Sequence, residues 1–226
     1  MTSEAKNTTD FQQEREAMRQ KAIARHKQEL VPIMVELRHL GYNFETVDDL
    51  RQSGIRYQSA IPVLLHWLPR LQSAKESVVR ALSVPWAKPA AGPILIREFK
   101  RNPAGESSDQ VHSLRWAIGN ALEVLVDKTL TDEMIELASN KQYGTARQMI
   151  VLGLGKIHDP RSIETLIALL KDKDVAGHAA KALGKLKARE ALRALEGLVD
   201  HPQAWIRNEV KKAVARITKN HLSSLE

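Results

Sequence analysis

The chain predicts an all-α fold: an α-solenoid of about five helical hairpins with an N-terminal helical cap. Three observations predict it. Five amphipathic segments fall into one register: AKESVVRALSVP (74–85), LRWAIGNALEVL (114–125), ARQMIVLGLGKI (146–157), VAGHAAKALGKL (175–186) and IRNEVKKAVARI (206–217), starting 40, 32, 29 and 31 residues apart. Each follows another amphipathic stretch, in order AIPVLLHWL, GPILIREFKR, DEMIELASN, SIETLIALLKD and AREALRALEGLVD, so each pair reads as a hairpin. No strand-like alternation of useful length lies between them.

Taken in order, residues 1–9 read as a disordered polar tail and 10–56 as the N-terminal helical cap. A long helix is expected through QQEREAMRQKAIARHKQELVPIMVELRHL, kinked or divided at Pro32 and ended by Gly41. TVDDLRQSG then reads as a short helix capped by Thr46 and closed by Gly54. Such a cap covers the open end of the first repeat, as solenoids require; a separate partner-binding arm is the alternative. Residues 57–217 form the repeat solenoid and 218–226 a C-terminal tail, whose Leu225 and Glu226 resemble a cloning scar.

Within the repeats, the fifth column (Val78, Ile118, Ile150, Ala179, Val210) and the ninth (Leu82, Leu122, Leu154, Leu183, Val214) share one helical face and are expected core. The eighth column is always small (Ala81, Ala121, Gly153, Ala182, Ala213), which lets successive helices approach closely. Asp159-Pro160 opens one hairpin as cap and first-turn proline, and Thr131 is expected to cap another. VPWAKPAAGP (84–93) and RNPAGESSDQ (101–110) are irregular insertions, with Trp86 expected to plug the adjacent hairpin.

An apolar fraction of 43% supports a real core. The chain has no cysteine, which excludes disulfides, thiolate metal sites and thiol nucleophiles and fits a cytoplasmic setting. The polar start lacks the cationic and apolar regions of a signal peptide, and no eighteen apolar residues run together, so no membrane association is expected. Of the net charge of +7, none comes from residues 1–140, with 18 Lys/Arg against 18 Asp/Glu; residues 141–226 hold 16 against 9. Such a basic half attracts nucleic acid, an anionic membrane or an acidic protein, and charge alone does not choose among them.

The pattern in VAGHAAKALGKL and ARQMIVLGLGKI resembles HEAT repeats of the phycobilisome-lyase type, over roughly residues 57–217. The resemblance implies a right-handed stack whose second helices line a concave binding surface. It also implies that the second-column cations Lys75, Arg115, Arg147 and Arg207 form a structural ladder, each bonded to an Asp or Asn of the preceding turn. Asn140 and Asp200 stand seven residues before Arg147 and Arg207, and Ala176 should break the ladder. Two enzyme families built on similar repeats, the bilin lyases and the alkylpurine DNA glycosylases, are alternatives. Trp116 with Asp109 or Asp127 is the nearest approach to the second, with no motif fixing the geometry.

No catalytic, metal or cofactor site is expected. The eight histidines show neither HExxH nor i, i+4 pairing, and no phosphate-binding glycine loop occurs. The exposed columns of the second helices are the candidate binding face. Trp116, Met149 and Leu152 are expected to form an apolar patch there, rimmed by Asn120, Gln148, His178, Lys181 and Lys212; the alternative is that curvature or the cap buries Trp116 and Leu152. A monomeric, non-catalytic scaffold for a protein partner of unknown identity is the expected function. The alternative is nucleic-acid binding through Lys181, Lys185, Arg207, Lys211, Lys212 and Arg216.

Overall fold

The computed structural model describes residues 4–101 and 108–222, with side chains described for 12–101 and 108–219. All regular structure among them is helical, and the chain divides into two compact units, Met1–Leu82 and Ser83–Glu226. The division falls inside the stretch 57–217 expected to be one solenoid: the first hairpin groups with the N-terminal helices.

In the first unit, helix α1 (Glu4–His39) begins within the expected tail and runs past Pro32 as one element, so the proline does not divide it. Pro32 lacks only its own N–H, and the turns on either side are held by packing: Leu30, Ile33, Met34 and Leu37 are buried, and α1 packs on α3 (Ile61–Trp67). Glu29 of α1 accepts the backbone N–H groups of Gln72 and Ala74, both at 3.0 Å, just before α4 (Lys75–Leu82). Burial pushes the Glu29 carboxyl up, but these amide donors outweigh it and hold the group below its ordinary range. Helix α2 (Val47–Gln52) starts with the expected Thr46 cap, here a reciprocal capping box with Asp49, and packs on α4. Gly41 and Gly54 take positive φ, +88° and +74°, after the helices they close. Within this unit, therefore, α1 and α2 pack on the two helices of the first hairpin.

The second unit is two layers of helices. One layer holds α5 (Ala91–Lys100), α7 (Thr131–Ser139), α9 (Pro160–Leu169) and the short α11 (Leu192–Glu196); the other holds α6 (Ser108–Leu125), α8 (Gln148–Leu154), α10 (Ala176–Leu186) and α12 (Ala204–Leu222). Each hairpin packs on itself, and α6, α8, α10 and α12 pack in series. The fifth column is buried throughout, as is the ninth except for the half-buried Val214 of α12. The small residues do what their size predicts. A Cβ on Gly155 would lie 2.8 Å from the Ala182 Cα, and one on Gly184 would lie 2.8 Å from the Ala213 Cα, so consecutive backbones meet at these points.

Local chemistry differs from expectation in two places. Thr131 is buried and donates its hydroxyl to the Lys128 carbonyl rather than capping α7; Asp127 does the capping one turn earlier, accepting from the Thr129 N–H at 2.8 Å. Helix α12 extends to Leu222, into the expected C-terminal tail. Asp159 caps α9 before Pro160 as read from the sequence, and Trp86 is half-buried in a 3-10 turn, Pro85–Ala87. Residues 102–107 of the second insertion, and Leu225 and Glu226, lie outside the described residues.

Candidate interaction face

The outward face of the α6–α8–α10–α12 layer carries the residues singled out from the register. Trp116 projects from α6 with 43% of its surface exposed. Asn120, one turn on, donates to the Trp116 carbonyl at 2.8 Å. Met149 of α8 is half-buried, its Cβ 3.4 Å from where a Cβ on Gly119 would sit, so α6 and α8 meet directly beneath the patch. Gln148 is half-buried and donates to the Asp174 carbonyl at 3.1 Å.

Leu152 is not part of an exposed patch. Only 7% of it is accessible, because α8 is flanked by α6 on one side and α10 on the other. The apolar surface on this side is therefore Trp116 with part of Met149.

At the other end of the layer, the structure adds a residue the register omits. Trp205 lies one position before the fifth segment, in the first turn of α12, and is 47% exposed. Its indole lies on Gly177 of α10: a Cβ there would fall 2.0 Å from the ring. Its ring centroid is 4.8 Å from that of His178 at a tilt of 54°. Burial, then the neighbouring Lys181 charge, push the His178 pKa down to about 4, with Glu209 opposing, so the imidazole is neutral at physiological pH. Lys212 donates to Glu209 at 2.8 Å.

Of the second-column cations, Arg115, Arg147 and Arg207 are held within the fold, though not by the expected partners. Arg147 is fully buried and donates to the Gly144 and Ala138 carbonyls at 2.9 and 3.0 Å and to Asp172 at 2.9 Å, with Asp174 at 3.6 Å. Its carboxylates thus belong to the following hairpin; Asn140 instead caps the turn after α7 by accepting from the Gln142 N–H. Burial pushes Asp172 up, yet the Arg147 hydrogen bond and charge outweigh it and hold the carboxyl low. Arg207 donates to the His201 and Pro202 carbonyls at 2.7 and 2.9 Å, not to Asp200. Arg115 donates to the Phe99 carbonyl at 2.9 Å and sits over the Tyr143 ring at 4.9 Å, beside a cleft of about 540 Å³ that also takes in His112 and Thr145. The ladder does lapse at Ala176, where Asp172 is left to receive Arg147 from the preceding helix.

The six residues of the basic patch are therefore not equivalent. Arg207 is committed to carbonyls, Lys212 to Glu209, and Lys185 lies 4.0 Å from Glu123, which also binds Lys156 at 2.8 Å. Lys181, Lys211 and Arg216 form no ion pair among the described residues. Asp127, one of the carboxylates considered beside Trp116, is engaged as a cap, and no group of three or more His, Asp or Glu suited to a metal ion occurs among the described residues. No helix among them is long and apolar enough to cross a membrane.

Residues 131–215, which span α7 to α12, match the family model described as HEAT repeats. No curated protein matches the chain. Similar solved structures include a designed armadillo repeat protein in complex with the peptide (KR)4, at 16% identity and TM-score 0.49, covering 85% of this chain and 98% of that one. A second designed armadillo repeat protein aligns at 15% identity and TM-score 0.49, over 76% of this chain and 85% of that one. Human deoxyhypusine hydroxylase in complex with glycerol aligns at 17% identity and TM-score 0.36, over 71% and 74%. The fold is an α-solenoid of HEAT-like helical hairpins, and the family match lies over its last three.

Proposed function

We propose that the chain is a non-catalytic scaffold that binds a protein partner on the outward face of the α6–α8–α10–α12 layer. One observation carries this reading: two tryptophans, Trp116 and Trp205, stand roughly half-exposed on a single close-packed layer, among polar side chains. Exposed aromatic anchors on a rigid frame, surrounded by a polar rim, are the composition of an interface hot spot. The face is the one that the HEAT resemblance makes concave, and the phycobilisome-lyase-type pattern remains the subtype the repeats resemble. A monomer in a cytoplasmic setting completes the proposal.

Affinity capture from nuclease-treated lysate, with wild type and Trp116→Ala in parallel at low and moderate salt, tests it. A protein retained by wild type at moderate salt and lost by Trp116→Ala, with unchanged thermal unfolding, supports the scaffold. Loss of all bound material on nuclease or salt treatment, with the variant behaving as wild type, overturns it in favour of nucleic acid.

A further inference from the structure

The two ends of the binding face differ in charge, and that difference specifies a partner chemistry. Beside Trp116 in the outward columns stand Asn120, Gln148 and Met149, all uncharged. Over their whole length, helices α10 and α12 carry seven Lys and Arg residues against one carboxylate, Glu209. That carboxylate is 8% exposed and neutralised by Lys212, so it contributes little to the outward field. The cations Lys181, Lys211 and Arg216 form no ion pair among the described residues.

The indole itself is positioned for contact. Gly177 supplies the slot in which it lies, and the His178 ring tilts against it, while nearly half of its surface remains open. An aromatic side chain fixed in this way loses little conformational freedom on binding, which is what makes an anchor effective. His178 stays neutral beside it, so the fixed charge nearest the indole on α10 is the Lys181 ammonium.

Resting on the scaffold reading, we infer that the α10–α12 end takes an acidic peptide segment. An apolar or aromatic side chain of the partner stacks on Trp205, and a flanking carboxylate meets Lys181. A nucleic-acid strand fits this end less well. Its evenly spaced phosphates need a row of uncommitted cations, whereas Lys156, Lys185 and Lys212 are turned toward recessed glutamates and one indole offers a single stacking platform.

Fluorescence anisotropy of the full chain with three short labelled probes tests the inference: a peptide alternating Glu and Asp with Phe and Leu, the same peptide with Lys for every acid, and a single-stranded oligothymidylate. The acidic peptide should bind at least about tenfold more tightly than its lysine counterpart, and Trp205→Ala and Lys181→Glu should each weaken it by about tenfold. Lys181→Glu alters charge on a side chain with no ion pair to lose, so it keeps the test valid if Trp205→Ala loosens α12. Failure of the acidic peptide to bind, or binding by both variants as tight as by wild type, overturns the inference. Tighter binding of the oligothymidylate with the same sensitivity overturns it in favour of nucleic acid. Should Trp116→Ala lose a captured protein that Trp205→Ala and Lys181→Glu retain, the scaffold reading stands and the acidic-segment inference falls.

Discussion

The junction between α8 and α10 and the junction between α10 and α12 both set a glycine against an alanine backbone, Gly155 on Ala182 and Gly184 on Ala213, and differ in what they add. The first is locked by a buried guanidinium: Arg147 reaches back to carbonyls at the end of α7 and in the turn after it, and forward to the carboxylates that precede α10. The second relies on surface fit, with Gly184 against Ala213 and Gly177 against Trp205. The polar lock is sealed from solvent, so its chemistry serves the fold alone. The second junction leaves nearly half of the Trp205 surface exposed.

Breaking each junction should show the difference in size. Arg147→Ala strands Asp172, itself buried, and should cost about 3–5 kcal/mol by chemical denaturation. Arg147→Lys should recover little, because an ammonium cannot reach Gly144, Ala138 and Asp172 together. A cost below about 1 kcal/mol for Arg147→Ala would show that the lock is not structural. Gly184→Ala places a methyl 2.8 Å from the Ala213 backbone, and should cost about 1–3 kcal/mol through forced separation of α10 and α12. A neutral result would mean that the helices slide apart freely.

The smallest effect is one of pH. His178 titrates near 4 in the fold and near 6.5 when unfolded, so between these values the unfolded chain binds more protons. Stability is accordingly lost as pH falls from about 6.5 toward 4. Allowing for solvent screening at this half-buried site, the loss should be about 1 kcal/mol. The His178→Phe variant keeps a ring against Trp205 and should show a flatter profile over that window; a slope equal to wild type would assign the effect elsewhere.

How much of this was legible follows from what each feature depends on. The columns headed by Val78, Leu82 and Ala81 were readable because helical burial repeats with the helix period. The partner of Arg147 was not, since Asp172 is 25 residues downstream and belongs to the hairpin whose own second column is Ala176. Leu152 looked exposed because its register position is polar in the helices on either side, Asn120 and Lys181; its burial depends on how closely those helices flank it. Trp205 fell one residue outside the register. A signal for it was nonetheless present in Gly177, the one glycine in a column otherwise filled by Glu76, Trp116, Gln148 and Asn208.

On the flank where each helix of the layer receives the next, the sixth column is Gly119, Val151 and Ala180, all buried; on α12 it is Lys211, exposed. Adding another copy edge-on to α12 would bury an ammonium without a partner, at a cost of several kcal/mol. Lys211 therefore opposes edge-on addition of a second copy against α12.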